Sequence, residues 1–380
     1  MPVSVDSYEH LASQVLKLYE QAENTMLARV AERVSQGVTQ SGWTEKKYSE
    51  VGAVRREMQS FISGIQKDRD AMNRQFIEEA YTSASSAFVM EARQFAHLTG
   101  IEQLSPNSVK VVQILSELEN TMAAADRMIL RRVDDAYARI VGEVSAQVAA
   151  GTITVKEAVS KELDRFADQG IGAFVDKAGR TWEMSTYAEM ATLTAIERST
   201  IAGYVETMEE YGYDLAIISR HAGACPLCEA WEDVVISVSG RNPDYPSLSE
   251  AEDDGCFHPR CMHDLSTYFE GITRPGRSSP RAVQEPSEAY SARAQQRALE
   301  RQVRRWKRRM TVAQTPQAQR MAYARVRMNQ ERIRDLIGGY NAKTPANTDW
   351  LPRKYEREGG RVTLSEEARQ LPPVHLNQNN

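Results

Sequence analysis

The residues of this chain most capable of chemistry are its thiols and imidazoles, and they are gathered in one place. All four cysteines and three of the six histidines lie in the 43 residues from His221 to His263. From His221 the chain reads HAGACPLC, and from Gly255 it reads GCFHPRCMH. Two sub-motifs match one another: Cys-Pro-Leu-Cys at Cys225–Cys228 and His-Pro-Arg-Cys at His258–Cys261. Each sets two soft or borderline donors three positions apart with a proline after the first, as in a zinc knuckle, where a tight turn points both side chains at one ion. Structural zinc takes four such nitrogen and sulfur ligands in a tetrahedron. The expected ligands are Cys225, Cys228, His258 and Cys261, with His263 as the alternative to His258. His221 and Cys256 are left for the surrounding shell. Four buried, inert cysteines are the plain alternative, since free cysteine is among the most buried residue types. That alternative does not explain the company of histidines. Four good ligands with spares favour one closed, structural zinc ion over a catalytic ion, which keeps an open water position.

The elements that must position these donors follow from the hydrophobic period, which here changes from helix-like to strand-like. Asp214–Arg220 (DLAIISR), Val234–Val238 (VVISV) and Asp264–Phe269 (DLSTYF) are short and rich in branched or aromatic residues, with Gly240, Pro243 and Pro246 as turn residues. The residues between the two knuckles are expected to form a hairpin that brings them together. Elsewhere the pattern is helical. Leu11, Val15, Leu18 and Ala22 recur at four-three-four spacing and continue through Met26, Val30 and Val34. After Ser41–Gly42 a second helix shows Val51, Val54, Met58, Phe61 and Ile65, and a third carries Phe76, Ile77, Tyr81 and Phe88. Ser105–Pro106–Asn107 marks a stop and restart before a fourth helix from Val109 to Ala149. Thr154 and Glu157 form a capping box for a short helix closed by Gly170, and another helix runs from Thr186 to about Gly212. Gly271 to Pro286 reads as a linker. Leu299, Val303, Trp306 and Met310 then return to helical spacing, with a pause at Pro316 and an end at Gly338–Gly339. The expected fold class is therefore mainly α, with long helices and a small α+β zinc-binding module of short strands inserted before a basic C-terminal helix. The regions are 1–105 and 106–212, both helical; 213–270, the Cys/His module; 271–290, the linker; 291–340, the basic helices; and 341–380, an extended tail.

Net charge is −5, but from Tyr290 to Asp335 the chain holds thirteen Lys or Arg against three acids, so the remainder carries −15. Such a run points to a polyanion or an acidic partner surface, with a solvated helix face as the bland reading. The residues expected to carry that contact are Arg293, Arg297, Arg301, Arg304, Arg305, Lys307, Arg308 and Arg309. The Cys/His module is itself acidic through Glu229, Glu232, Asp233, Glu250, Glu252, Asp253 and Asp254, which argues against its facing DNA directly. The chain has no P-loop, dinucleotide fingerprint or nucleophile elbow. Its start, MPVSVDSYEHL, has no basic run leading into an apolar core, and no window reaches the eighteen apolar residues of a membrane helix. Neither a leader nor a membrane span is expected, and in that setting clustered thiols point to metal rather than disulfides.

At these residues the chain resembles the phage minor capsid protein 2 family, related to the Mu F-like head morphogenesis proteins. Three stretches carry the resemblance: GRTWEMSTYAEMATLTA from Gly179, ISRHAGACPLCEAWE from Ile218, and the G-x-F-H-P-x-C-x-H box from Gly255, with Tyr268 ending the module. The basic stretch YSARAQQRALERQVRRWKRR from Tyr290 is similar to the helix that follows this box in the family. Cys256 stands where a larger apolar residue such as Leu is expected, and Arg260 and Met262 replace the usual Asn and Arg. The candidate ligands are untouched by these departures. The resemblance implies a low-copy structural head protein of a tailed bacteriophage, made in the host cytoplasm and packed inside the capsid near the portal. It implies a role in head assembly and in DNA packaging or ejection. Its implied partners are the portal protein, other head proteins, and packaged DNA through the basic helix, with the protein oligomeric in the virion. Some relatives carry a C-terminal toxin or enzyme domain, but only a short tail follows Tyr340 here.

Two other classes compete with this reading. A metal-dependent nuclease would use His221, His263 or Asp264 for acid–base work, although no carboxylate–histidine spacing demands it. A zinc-containing DNA-binding protein would have to place the acidic module against DNA. The expectation is a non-enzyme with no catalytic residues.

Overall fold

The computed structural model describes residues 8–344 apart from 152, 171–173, 176–180, 222, 274 and 275, together with 351, 363–374 and 376. Much of the tail from 341 onward and part of the Gly179 stretch lie outside the described residues.

The apolar stripe from Leu11 to Val34 forms the buried face of α1 (Glu9–Ser35). Gly42, at φ 74°, turns the chain into α2 (Trp43–Phe95). The sequence reading expects two helices here, and the structure joins them into one of 53 residues. Between Ile65 and Phe76 lie polar residues but no proline or glycine to stop propagation, and Arg69 and Asn73 are themselves buried. Ser108 caps α3 (Val109–Ala149) by accepting from Val111 N. Thr154 and Glu157 form the expected capping box on α4 (Val155–Gln169). After a short antiparallel pair, β1 (Phe174–Val175) with β2 (Thr181–Trp182), comes α5 (Met184–Glu210).

One apolar core draws on α1 to α5, with α2 packed along both α5 and α3. Within it Arg69 of α2, 2% exposed, reaches Asp126 of α3 at 2.5 Å and Tyr19 of α1 at 2.6 Å, so three helices share one satisfied polar contact. Gly203 sets the closest approach of α2 and α5. A Cβ there would lie 2.9 Å from the backbone C and Cα of Tyr81, and its carbonyl oxygen would be closer still. Backbone cannot swing aside, so Gly203→Ala is expected to lower stability by about 1–3 kcal/mol through overpacking. Gly339→Ala, in open space near the end of the helix Pro316–Asn341, should be neutral or slightly stabilising. Thermal midpoints of the two variants compare them directly.

The strand-rich region forms a three-stranded antiparallel sheet in the order β4-β3-β5, from β3 (Leu215–Ile218), β4 (Val235–Ser237) and β5 (Leu265–Thr267). The expected hairpin between the knuckles is not what joins them. α6 (Pro226–Trp231), β4 and α7 (Leu248–Asp253) intervene, and the middle strand β3 precedes both knuckles. The sheet shares its apolar core with the C-terminal ends of α2 and α5. Phe88, Tyr204, Tyr211, Tyr213 and Phe269 pack ring against ring there, and the Tyr204 hydroxyl accepts from Thr267 N at 2.8 Å. The module is thereby seated on the helical body.

The segment after the sheet runs along β4, where Val235 N donates to the Arg277 carbonyl at 2.8 Å. It leads to α8 (Glu288–Val312) and α9 (Pro316–Asn341), the latter with proline in its first turn and Thr315 as its cap. A short helix, α10 (Glu366–Gln370), buries Leu364 and Ala368 against Met310 and Ala322. Among the described residues, no helix is long and apolar enough to cross a membrane.

Candidate metal centre

Cys225 caps α6, and its Sγ accepts from Cys228 N at 3.4 Å. Pro226 follows at the position where a missing N–H costs nothing, so Cys-Pro-Leu-Cys is a helix start with both sulfurs on one side. The second knuckle is a tight loop in which Cys261 N donates to the His258 carbonyl at 2.8 Å. Gly255, Phe257 and Arg260 there all have positive φ, at 91°, 53° and 69°. Left-handed backbone at non-glycine residues costs about 1–3 kcal/mol each and persists where surrounding contacts over-determine it. α5 supplies those contacts. Arg260 N donates to Thr194 Oγ1 at 3.3 Å, and the Arg260 guanidinium pairs with buried Glu189 at 3.2 Å.

The loops bring five donors together as two overlapping triads that share Cys228: Cys225, Cys228 and His258, and Cys228, Cys261 and His263. In each triad the ligand atoms lie within 4.8 Å of one another. His258 Nε2 is 3.1 Å from Cys225 Sγ, Cys228 Sγ is 3.7 Å from Cys261 Sγ, and His263 Nδ1 is 3.3 Å from Cys261 Sγ. Both imidazoles are held from behind. His258 Nδ1–H donates to the Pro259 carbonyl at 2.9 Å, and His263 Nε2–H donates to Glu232 Oε1 at 3.2 Å. A second hydrogen bond of this kind fixes the tautomer and leaves the other ring nitrogen to face a metal. The thiols interact strongly. Contact with Cys228 lowers Cys225 to about 3, against the effect of burial and with help from His258, while Cys228 and Cys261 are pushed up. Three thiols in one small space cannot all ionise unless a cation lies between them. The donor set therefore fits a soft divalent ion such as zinc.

The remaining sequence candidates stand around this set. Cys256 is buried beside Cys228, and the His221 ring lies 5.7 Å from that of His263. Three carboxylates escaped the sequence reading. Glu232, just past Cys-Pro-Leu-Cys, also accepts from His221 N at 2.9 Å. Glu189 anchors Arg260, and Glu197, 1% exposed, abuts Cys261 with its carboxyl pushed well above the usual range by burial and by that sulfur. Glu189 and Glu197 are marked in the sequence only by a buried-face position on α5, which nothing local marks as polar, and Glu232 only by its place at the end of α6.

The basic helix is arranged otherwise than a free cationic stripe. Arg305 and Arg309 both fork onto Asp168 of α4, at 2.9 and 2.5 Å. Burial raises the Asp168 pKa, but the two arginines outweigh it and hold the group at about 2. Arg308, 2% exposed, lies between Glu23 at 3.5 Å and Glu183 at 3.0 Å, and Arg304 reaches Glu183 at 3.4 Å and Glu20 at 3.7 Å. Trp306 packs within the α8–α9 core, with Arg309 and Arg325 over its ring. Arg293, Arg297 and Arg301 instead line a pocket beside the Cys/His donors.

The chain is similar to known phage proteins. A protein described as "Structural protein" from Lactococcus phage LL-H is 28% identical over 238 residues, covering 58% of this chain and 61% of that relative. The chain thus spans about three-fifths of that relative's length. A second "Structural protein", from Lactococcus phage mv4, is 30% identical over 123 residues, which is 31% of this chain and 93% of that relative. No solved structure matches. The sequence profile described as "Phage minor capsid protein 2" matches residues 4–338, a span that takes in the helical body, both knuckles and the basic helices, and the chain belongs to that family.

Proposed function

We propose that this chain is an internal, portal-side head protein of a tailed bacteriophage, made in the host bacterial cytoplasm and carried in the virion. It acts in head assembly and in DNA packaging or ejection, as an oligomer that contacts the portal and other head proteins. The observation that carries this reading is the family match across residues 4–338, supported by relatives named as phage structural proteins. In this reading one zinc ion, held by Cys225, Cys228, Cys261 and either His258 or His263, ties the second knuckle to α6 and braces the sheet against α5. The ion is structural. Cys228, Cys261 and His263 are buried, and His263, one of the residues a nuclease would use for acid–base work, is 2% exposed with its Nε2 engaged by Glu232. Any contact with packaged DNA falls to α8 arginines not bound to the chain's own acids, and phosphate contacts of that kind weaken steeply with salt.

The test is mass spectrometry of purified virions with cross-linking. Recovery well below the copy number of the major shell protein, with cross-links to the portal, is the expected result. Absence from virions would sink the reading, and cross-links to the outer shell alone would remove its portal-side part.

A further inference from the structure

Beside the candidate metal centre is a pocket of about 340 Å³ whose lining includes the Cys/His donors, Tyr290, the guanidinium groups of Arg293, Arg297 and Arg301, and the carboxylates of Glu9 and Glu300. The metal reading makes no use of these arginines. Arg293 Nε is buried and has no hydrogen-bond acceptor among the described residues. Its position is set by Gly223, at φ 71°, where an added Cβ would lie 3.0 Å from that same nitrogen. Arg297 is partly buried, and burial followed by Arg260 alongside lowers its pKa. Among the described residues neither Arg293 nor Arg297 has a carboxylate within ion-pair distance. Arg260 is paired with Glu189, and Glu300, which accepts from Gln296 Nε2 at 3.0 Å, offsets only part of the positive charge at Arg297.

A buried guanidinium donor left unmet, as at Arg293 Nε, among like-charged neighbours is unfavourable until an anion joins it. A carboxylate brings two oxygens and one charge, which a single arginine fork satisfies. A phosphate brings at least three acceptor oxygens and up to about two charges, matching two forks and a phenol. The volume is at the small end of ligand pockets and suits a single phosphate-bearing unit rather than a duplex.

We propose that this pocket binds a phosphate group, either free or carried by a nucleotide or the end of a DNA strand. The inference rests on the pocket and not on the head-protein reading, so either can fail alone.

The experiment is isothermal titration of the full chain, with its metal content recorded, using inorganic phosphate, a mononucleotide, and matched oligonucleotides with and without a 5′-phosphate. Phosphate should bind the wild type and raise its thermal midpoint. Arg293→Gln and Arg297→Gln should each weaken binding on the order of 10-fold or more, while Arg132→Gln, an exposed change on α3, should leave it unchanged. Preference for the 5′-phosphorylated strand would name a strand end as the source, and equal binding of all phosphates would name the free anion. No binding or midpoint shift in the wild type overturns the proposal, as does equal affinity in all variants. Loss of metal from Arg297→Gln with no phosphate affinity also overturns it, and would assign these arginines to balancing the thiolates.

Discussion

On the proposed zinc reading, Cys228→Ser protein is expected to lose its metal completely, from about one zinc per chain to none, and to loosen the Cys/His module. Cys228 is the donor common to both triads, so no rearrangement of the others replaces it. Serine keeps the size but is a poor zinc ligand, and the loops cannot close around the ion by themselves. The three left-handed residues of the second knuckle would then relax, since the contacts that hold them include the donors. Binding of structural zinc is coupled to folding, with apparent energies of about 10–16 kcal/mol in small zinc-dependent peptides. Here the sheet also packs on α2 and α5, so part of the module's order survives and the loss is several kcal/mol. Metal analysis and hydrogen exchange across β3, β4 and β5 read both effects. Cys256→Ser should keep the metal. His258→Ala and His263→Ala divide the remaining question, because the true fourth ligand is the one whose loss empties the site. Retention of metal and protection by Cys228→Ser would refute the centre as described.

The second large effect belongs to Arg308, the most deeply buried cation of α8. Arg308→Ala leaves buried Glu23 without its counter-charge and Glu183 with Arg304 alone, and removal of one member of a buried ion pair costs about 3–5 kcal/mol. The expected result is a much lower thermal midpoint together with release of α8 from α1 and α4, seen as new proteolytic cleavage between residues 276 and 287. The double variant Arg308→Met with Glu23→Gln should recover part of the loss, because it removes charge from both sides of the contact. Arg301→Ala, on the exposed side of the same helix, should change stability by no more than about 0.5 kcal/mol. Equal, small effects at both positions would mean that α8 is not latched by its arginines. The contrast matters for function because a run of like charges looks uniform along the chain. Burial sorts it into arginines that hold the fold and arginines that line the pocket beside the Cys/His donors.

What the sequence by itself determined is the local part of this protein. Helical stripes, the Thr154–Glu157 capping box, the proline-headed knuckle and the short strands all depend on residues within a few positions of one another. Their physics is turn chemistry and amphipathic period, which survive in any sequence window long enough to show them. The donor set was legible for the same reason, since each knuckle is a four-residue unit. Tertiary structure alone decided the rest. It joined α2 across a polar stretch whose Arg69 and Asn73 have partners on other helices. It replaced the hairpin between knuckles with a sheet whose middle strand comes earlier in the chain. It set Glu232 behind His263 and turned four arginines inward onto acids as far away as Glu23, 285 residues from Arg308. No local preference encodes a carboxylate's partner at that separation. The pairing exists because burying the apolar faces of α1, α4, α5 and α8 together removes those charges from water, and each must then find its opposite within reach.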